Sequence, residues 1–87
     1  MPKGPPMQCV FVQIRCKPGT TYGVAQVIYL REVVSEMYST SGDYDLIAKV
    51  YVPEGQDIGV FVNEGLADIE NIDRTLTTIT FKALHSG

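Results

Sequence analysis

The residues most able to do chemistry stand together in one polar turn between two apolar segments. The turn reads Ser41-Gly42-Asp43-Tyr44-Asp45. Gly42 accepts a positive φ, so the amides around it can converge on an anion such as a ligand carboxylate. Asp43 or Asp45 could then accept hydrogen bonds from a ligand ammonium group. This combination predicts a site for a zwitterion such as an amino acid.

A purely structural interpretation of the same turn stays open. Gly42 could serve the turn geometry alone, with both carboxylates folded back on nearby amides. The chain would then be an oligomerisation unit without a ligand. Metal binding by Asp43, Asp45 and Glu36 is a further option. We nevertheless expect no metal and no cofactor, because the single histidine, His85, stands apart near the chain end.

The elements that must position the turn follow from the hydrophobic pattern. Alternation of apolar residues and β-propensity predict four strands. These strands are expected over residues 7–16, 33–41, 45–52 and 74–84. Helical spacing predicts one helix that Thr20 or Thr21 caps and a second that Asp57 caps. The order β-α-β-β-α-β predicts an α+β, ferredoxin-like sandwich with an antiparallel four-stranded sheet and two helices on one face.

The two faces of the predicted sheet differ in character. Alternate residues of the first and third strands form one apolar face that the helices should cover. These residues are Val10, Val12, Ile14, Cys16, Leu46, Ala48, Val50 and Val52. The other face is large and mixed, and it carries Phe11, Gln13, Lys49 and Tyr51. A small domain gains stability by covering such a face, so we expect self-association.

Bulk properties exclude several classes of function. The 87 residues fit one domain over 7–85, after a flexible N-terminal tail at 1–6. Seven Lys and Arg are scattered singly in a chain of net charge −3, so we expect no direct DNA binding. No apolar run approaches the roughly 20 residues of a membrane helix, and no signal peptide is recognisable. We therefore expect a cytoplasmic protein. We also expect that Cys9 and Cys16 are packing residues.

Signals of an enzyme are weak. The chain has no His–acid pair and no Gly-rich phosphate loop, so we expect a protein without catalytic residues. The alternative is a small dimeric ferredoxin-like enzyme of the α/β-barrel type, acting on a small aromatic or other metabolite. Tyr22, Tyr38 and Tyr44 could line the cavity of such an enzyme. The scaffold alone does not decide between these functions.

Two segments of the chain resemble a known family. Ser41-Gly42-Asp43-Tyr44-Asp45-Leu46 is similar to the Thr-Gly-x-Tyr-Asp-Leu hallmark of the effector-binding (RAM) domain of Lrp/AsnC transcription regulators. Ile72-Asp73-Arg74-Thr75-Leu76-Thr77 resembles the start of that domain's last strand. The resemblance spans residues 8–84, and Ser41 replaces the usual Thr while keeping its hydroxyl.

The resemblance implies a βαββαβ domain that pairs sheet to sheet into homodimers, which assemble into octamer-like or larger rings. It also implies that small effectors, usually amino acids, bind between dimers near the hairpin loop. The residues carried over to this site are Ser41, Gly42, Tyr44 and Asp45, with Thr75 and Thr77 as further contributors. Asp43 is added to these candidate site residues because its carboxylate could accept hydrogen bonds from a ligand ammonium group.

The same family places a helix-turn-helix domain ahead of the effector-binding domain. Residues 1–6 are too few to form it, so we expect a stand-alone ligand-binding module. Such a module would sense an amino acid or similar metabolite. Mixed assembly with full-length Lrp/AsnC regulators is one way in which it would modulate transcription.

Overall fold

The computed structural model describes residues 7–82, 84 and 85. The predicted tail at 1–6 lies outside these residues. The strands are β1 (Met7–Cys16), β2 (Glu36–Ser39), β3 (Leu46–Pro53) and β4 (Ile72–Ile79). The helices are α1 (Thr21–Arg31), between β1 and β2, and α2 (Ile58–Leu66), between β3 and β4. The order β-α-β-β-α-β confirms the predicted ferredoxin-like fold.

The four strands form one antiparallel sheet in the order β2-β3-β1-β4. The two longest strands, β1 and β3, pair from Met7 opposite Pro53 to Ile14 opposite Leu46. On its other side, β1 pairs with β4 from Val10 opposite Ile79 to Cys16 opposite Ile72. β1 is therefore in contact with both the β2–β3 hairpin unit and the last strand.

The core lies between the sheet and the two helices. Every second residue is buried in β1 from Val10 onward and in β3 from Leu46 onward, which confirms the predicted inward faces of both strands. The helices contribute Val24 and Ile28 from α1 and Val62 and Leu66 from α2. Burial of these apolar side chains is the main stabilising contribution of the fold.

The second and fourth strands differ from their predicted bounds. β2 is confined to Glu36–Ser39, because Val33 and Val34 pack against the core instead of pairing in the sheet. β4 covers Ile72–Ile79 rather than residues 74–84. It begins earlier because a register shift between Arg15 and Cys16 brings Ile72 opposite Cys16, and its pairing with β1 ends at Ile79, opposite Val10. Side-chain packing and the bulge thus override the local β-propensity of these segments.

The two helices begin differently. The Asp57 carboxylate accepts a hydrogen bond of 3.0 Å from the Val60 amide, so Asp57 caps α2 as predicted. Thr20 occupies the corresponding position of α1 without a side-chain cap. Its hydroxyl instead donates to the Lys17 carbonyl at 2.6 Å, which closes the turn after β1. The predicted threonine cap of α1 is therefore wrong.

The face of the sheet away from the helices remains uncovered within the chain. Phe11, Gln13 and Lys49 are half-buried there, and Tyr51 is 40% exposed. This placement confirms that these residues share the face that we expect to self-associate. Within the described ranges, neither helix is long and apolar enough to cross a membrane.

An ion pair joins α1 to the turn after α2. The Arg31 guanidinium donates to both oxygens of Asp68, at 2.6 and 3.2 Å, and to the Gly65 carbonyl at 3.1 Å. This hydrogen bonding lowers the pKa of the Asp68 carboxyl from its ordinary value of 3.8. Because folding lowers this pKa, the pair stabilises the fold above 3.8 and stops doing so as the pH falls through the lower, folded-state value.

The first prediction concerns this pair. Asp68→Asn should lower the free energy of unfolding at pH 7, and the difference from the wild type should shrink as the pH falls below 3.8, because the wild-type carboxyl then becomes neutral too. Urea unfolding at neutral and acid pH measures the difference. Glu70→Gln, an exposed position two residues away, is the matched control. An equal difference at both pH values would contradict the assignment.

Candidate functional site

Asp45 holds the hairpin turn against the end of β1 with both its backbone and its side chain. Its amide donates to the Ile14 carbonyl at 2.9 Å, and its carbonyl accepts from the Thr40 amide at 2.9 Å. Its carboxylate accepts from the Cys16 amide at 2.8 Å. Because β3 begins at Leu46, opposite Ile14, no residue of β3 pairs with Cys16. The Asp45 carboxylate therefore replaces a missing bond of the sheet.

The turn that Asp45 supports leaves backbone donors free. The Thr40 hydroxyl donates to the Tyr44 carbonyl at 2.8 Å and closes the turn at its base. Gly42 has a φ of +103°, in the region that favours glycine. Ser41, Gly42 and Asp43 are exposed, and their amides donate no hydrogen bond within the described part of the chain. Such amides at a positive-φ turn can accept an anion.

A second contact joins the tip of the turn to β1. The Arg15 guanidinium donates to the Asp43 carbonyl at 3.0 Å. The same side chain lies 3.7 Å from the Asp73 carboxylate, and both side chains are about half exposed, at 43% and 56%. A hydrogen bond needs a shorter distance than this, so the ion pair is loose. Arg15 thereby connects the turn to the start of β4.

A third contact reaches β4 from the turn. Arg74 lies opposite Arg15 in the antiparallel register, which places two like charges side by side. The Arg74 guanidinium carbon lies 5.4 Å from the centre of the Tyr44 ring, within the range of a cation–π contact. The aromatic ring and the Asp73 carboxylate offset the repulsion between the two arginines.

A cleft of about 330 Å³ lies between the turn, the end of β1 and the start of β4. Its walls carry three carboxylates and two cations. The lining residues are Arg15, Cys16, Lys17, Pro18, Gly42, Asp43, Asp45 and Asp73. Positively and negatively charged side chains thus line one cleft, whose volume suits a small metabolite. Within the described ranges, no three His, Cys, Asp or Glu side chains are grouped to hold a metal ion.

The structure brings part of the predicted site together. Ser41, Gly42 and Asp43 are exposed at the tip, whereas Tyr44 and Asp45 are half-buried at its base. Gly42, Asp43 and Asp45 line the cleft directly. One carboxylate oxygen of Asp45 already accepts a hydrogen bond from the Cys16 amide, so Asp45 anchors the turn. Its predicted contact with a ligand ammonium group stays a prediction.

Thr75 and Thr77 lie elsewhere in the sheet. They are opposite Ile14 and Val12 on β4 and so belong to the face that the helices cover. Thr75 lines a separate cleft of about 240 Å³ beside α2. Their part in ligand binding stays a prediction.

Sequence reasoning passed over three residues of this region: Arg15, Asp73 and Arg74. A signal for them exists, because an antiparallel pair of β1 and β4 brings the end of the first strand beside the start of the last. The alternation of β1 also places Arg15 on the face opposite Cys16. The register shift that exposes Asp73 to Arg15 has no signature in the sequence.

Cys16 and the remaining tyrosines add no reactive group to the site. Burial, and to a smaller degree the Asp45 charge, raises the pKa of the Cys16 thiol, so the thiol stays protonated at neutral pH. Tyr22 is 83% exposed on α1, whereas Tyr38 is 59% exposed on the opposite face of the sheet, beside Ile47. The two sides of the sheet separate these tyrosines, so they do not line one cavity with Tyr44.

The second prediction tests the anchoring role of Asp45. Asp45→Ala should lower the free energy of unfolding by about 1–3 kcal/mol, because the partly buried Cys16 amide loses its acceptor. Asp45→Asn keeps an acceptor oxygen and should lose less. Urea unfolding at pH 7 gives both values, and an alanine variant as stable as the wild type would show that the bond contributes nothing.

Comparison with known proteins places this arrangement in a family. The Lrp/AsnC ligand binding domain matches residues 9–87. The HTH-type transcriptional regulator FL11 of Pyrococcus abyssi is 29% identical over 72 residues, which cover 83% of this chain and 47% of the regulator. The chain thus spans about half the length of this relative.

Solved structures agree in fold. TTHA0845 from Thermus thermophilus is 30% identical, with a TM-score of 0.81, and the match covers 92% of this chain and all of that one. The transcriptional regulator NMB0573 from Neisseria meningitidis, solved in complex with L-Met, is 11% identical with a TM-score of 0.78, over 91% of this chain and 53% of that one. Fold, hairpin motif and family match together show that this chain belongs to the Lrp/AsnC ligand-binding domain family.

Proposed function

We propose that residues 7–85 act as a non-enzymatic module that binds an α-amino acid or a similar small metabolite at the hairpin cleft and modulates transcription regulators. One observation carries the proposal: the free amides around Gly42 and the carboxylate of Asp43 face one cleft, at a turn that Asp45 holds in place. Amides that can accept an anion and a carboxylate that can accept an ammonium group, both on one turn, match the two charged groups of an amino acid.

The proposed recognition uses each part of the turn. The amides of Gly42 and Asp43 receive the ligand carboxylate, since neither has a partner in the described residues. The Asp43 carboxylate makes no hydrogen bond or ion pair within the same residues, so it is available to the ligand ammonium. Ser41 adds a hydroxyl, and Tyr44 shapes the base through its contact with Arg74.

Relatives support the type of ligand and the type of process. FL11 is a transcriptional regulator by name, and NMB0573 was solved with L-Met. A protein of this fold can therefore hold a free amino acid. The hairpin cleft offers groups that can bind the carboxylate and the ammonium of an amino acid.

The proposed response is a change in assembly. The uncovered sheet face pairs with a second copy of the chain, and the dimers assemble into a ring of octamer-like or larger size. An effector held between two dimers stabilises the assembly that it binds more tightly. The difference between its affinities for the two assemblies sets how far their populations shift. Full-length Lrp/AsnC regulators are further partners, through mixed assembly.

The third prediction tests ligand binding. Calorimetric titration of the native protein with the common amino acids should detect at least one ligand, and native mass spectrometry should show that this ligand changes the size or stability of the assembly. Asp43→Ala should weaken binding by roughly tenfold or more, because the ammonium loses a charged partner. Glu54→Ala is the matched control, since Glu54 is exposed in a different cleft, beside Gln8 and Ile58.

A folded oligomer that binds no common amino acid would contradict the proposal. Equal loss of affinity in the Asp43 and Glu54 variants would place the site outside the hairpin cleft.

A further inference from the structure

The walls of the hairpin cleft are more polar than apolar. Five of its eight lining residues carry charge, and the others are Cys16, Pro18 and Gly42. No aliphatic or aromatic side chain is among them apart from the Pro18 ring. An apolar ligand side chain would gain little burial here and would strip water from charged groups, which is unfavourable. The lining therefore disfavours aliphatic and aromatic amino acids.

The charges of the lining are also unequal. The lining carries three carboxylates, Asp43, Asp45 and Asp73, and two cations, Arg15 and Lys17. A third cation, Arg74, lies opposite Arg15 but outside the lining, where the Tyr44 ring contacts it. The carboxylate and ammonium of an α-amino acid cancel each other, so they leave this imbalance unchanged. A second carboxylate on the ligand would meet an excess of like charge, whereas a hydrogen-bond donor would meet an excess of acceptors. The charge balance therefore disfavours acidic amino acids.

Asp73 offers the acceptor that such a donor needs. Its carboxylate lies 3.7 Å from the Arg15 guanidinium, too far for a hydrogen bond, and its side chain is 56% exposed. It makes no hydrogen bond to any other described residue. Arg15 is held in place from the other side by its bond to the Asp43 carbonyl. Asp73 thus lines the cleft with acceptor oxygens that make no hydrogen bond within the described residues.

We infer that the effector is an amino acid whose side chain ends in a hydrogen-bond donor, such as an amide, an ammonium or a guanidinium group, and that Asp73 determines this specificity. The inference rests on the proposed function. The turn binds the α-carboxylate and α-ammonium groups that all amino acids share, and Asp73 binds the end of the side chain. Aliphatic and acidic amino acids lack the matching group.

The fourth prediction compares four ligands on the native assembly by calorimetry: glutamine, lysine, leucine and glutamate. Glutamine or lysine should bind at least roughly tenfold more tightly than leucine and glutamate, since a hydrogen bond to a charged group has about that effect. Asp73→Ala should remove most of this preference. Glu70→Ala, which changes an exposed carboxylate outside the lining of the cleft, should preserve it.

Binding of leucine or glutamate as tight as that of glutamine and lysine would overturn the inference and leave the proposed function intact. A preference that persists in Asp73→Ala would overturn the role of Asp73. Absence of binding by all common amino acids would overturn both the inference and the proposed function.

Discussion

The 2.8 Å hydrogen bond from the Cys16 amide to the Asp45 carboxylate determines where the hairpin turn lies relative to the sheet. Pairing of β1 with β3 ends at Ile14 and Leu46, so the last two residues of β1 have no partner strand on that side. The carboxylate satisfies the Cys16 amide, and the Asp45 backbone extends the pairing by one residue. Within the described residues, the amides of Ser41, Gly42 and Asp43 donate no hydrogen bond, while the turn itself stays attached to the core.

The other contacts of the site depend on this attachment. The Arg15 guanidinium donates to the Asp43 carbonyl, and Tyr44 lies against Arg74. The contact between Arg15 and Asp43 joins two segments that are 28 residues apart in sequence. The turn is therefore in contact with both the central strand β1 and the edge strand β4.

Much of the fold follows from local patterns in the sequence. Alternation of apolar residues predicts β1 and β3 with their buried faces, and Asp57 predicts the start of α2. The extent of β2 could not be predicted in this way, because Val33 and Val34 have high β-propensity but pack against the core. The start of β4 depends on a bulge at Arg15 and Cys16, which is a property of the paired strands and not of either strand alone.

The candidate site also combines residues that the local sequence indicates with residues that only the strand register brings together. The turn chemistry of Gly42 and its carboxylates is local, so the sequence indicates it. The charges of Arg15, Asp73 and Arg74 reach the turn only through the register of β1 and β4, and Thr75 and Thr77 look equally suitable until that register places them on the helix-covered face. Spacing along the chain does not distinguish these two sets of residues, whereas the faces of the sheet do.

The most direct test of the account is an amide nitrogen–proton NMR titration of the intact, deuterated protein with the tightest amino-acid ligand. The account predicts saturable shifts of the Gly42 and Asp43 amides, because these donors receive the ligand carboxylate. The Gly55 amide, in another positive-φ turn at the opposite end of β3, should not move. A ligand that binds in calorimetry while the Gly42 and Asp43 signals stay in place would contradict the hairpin as the binding site.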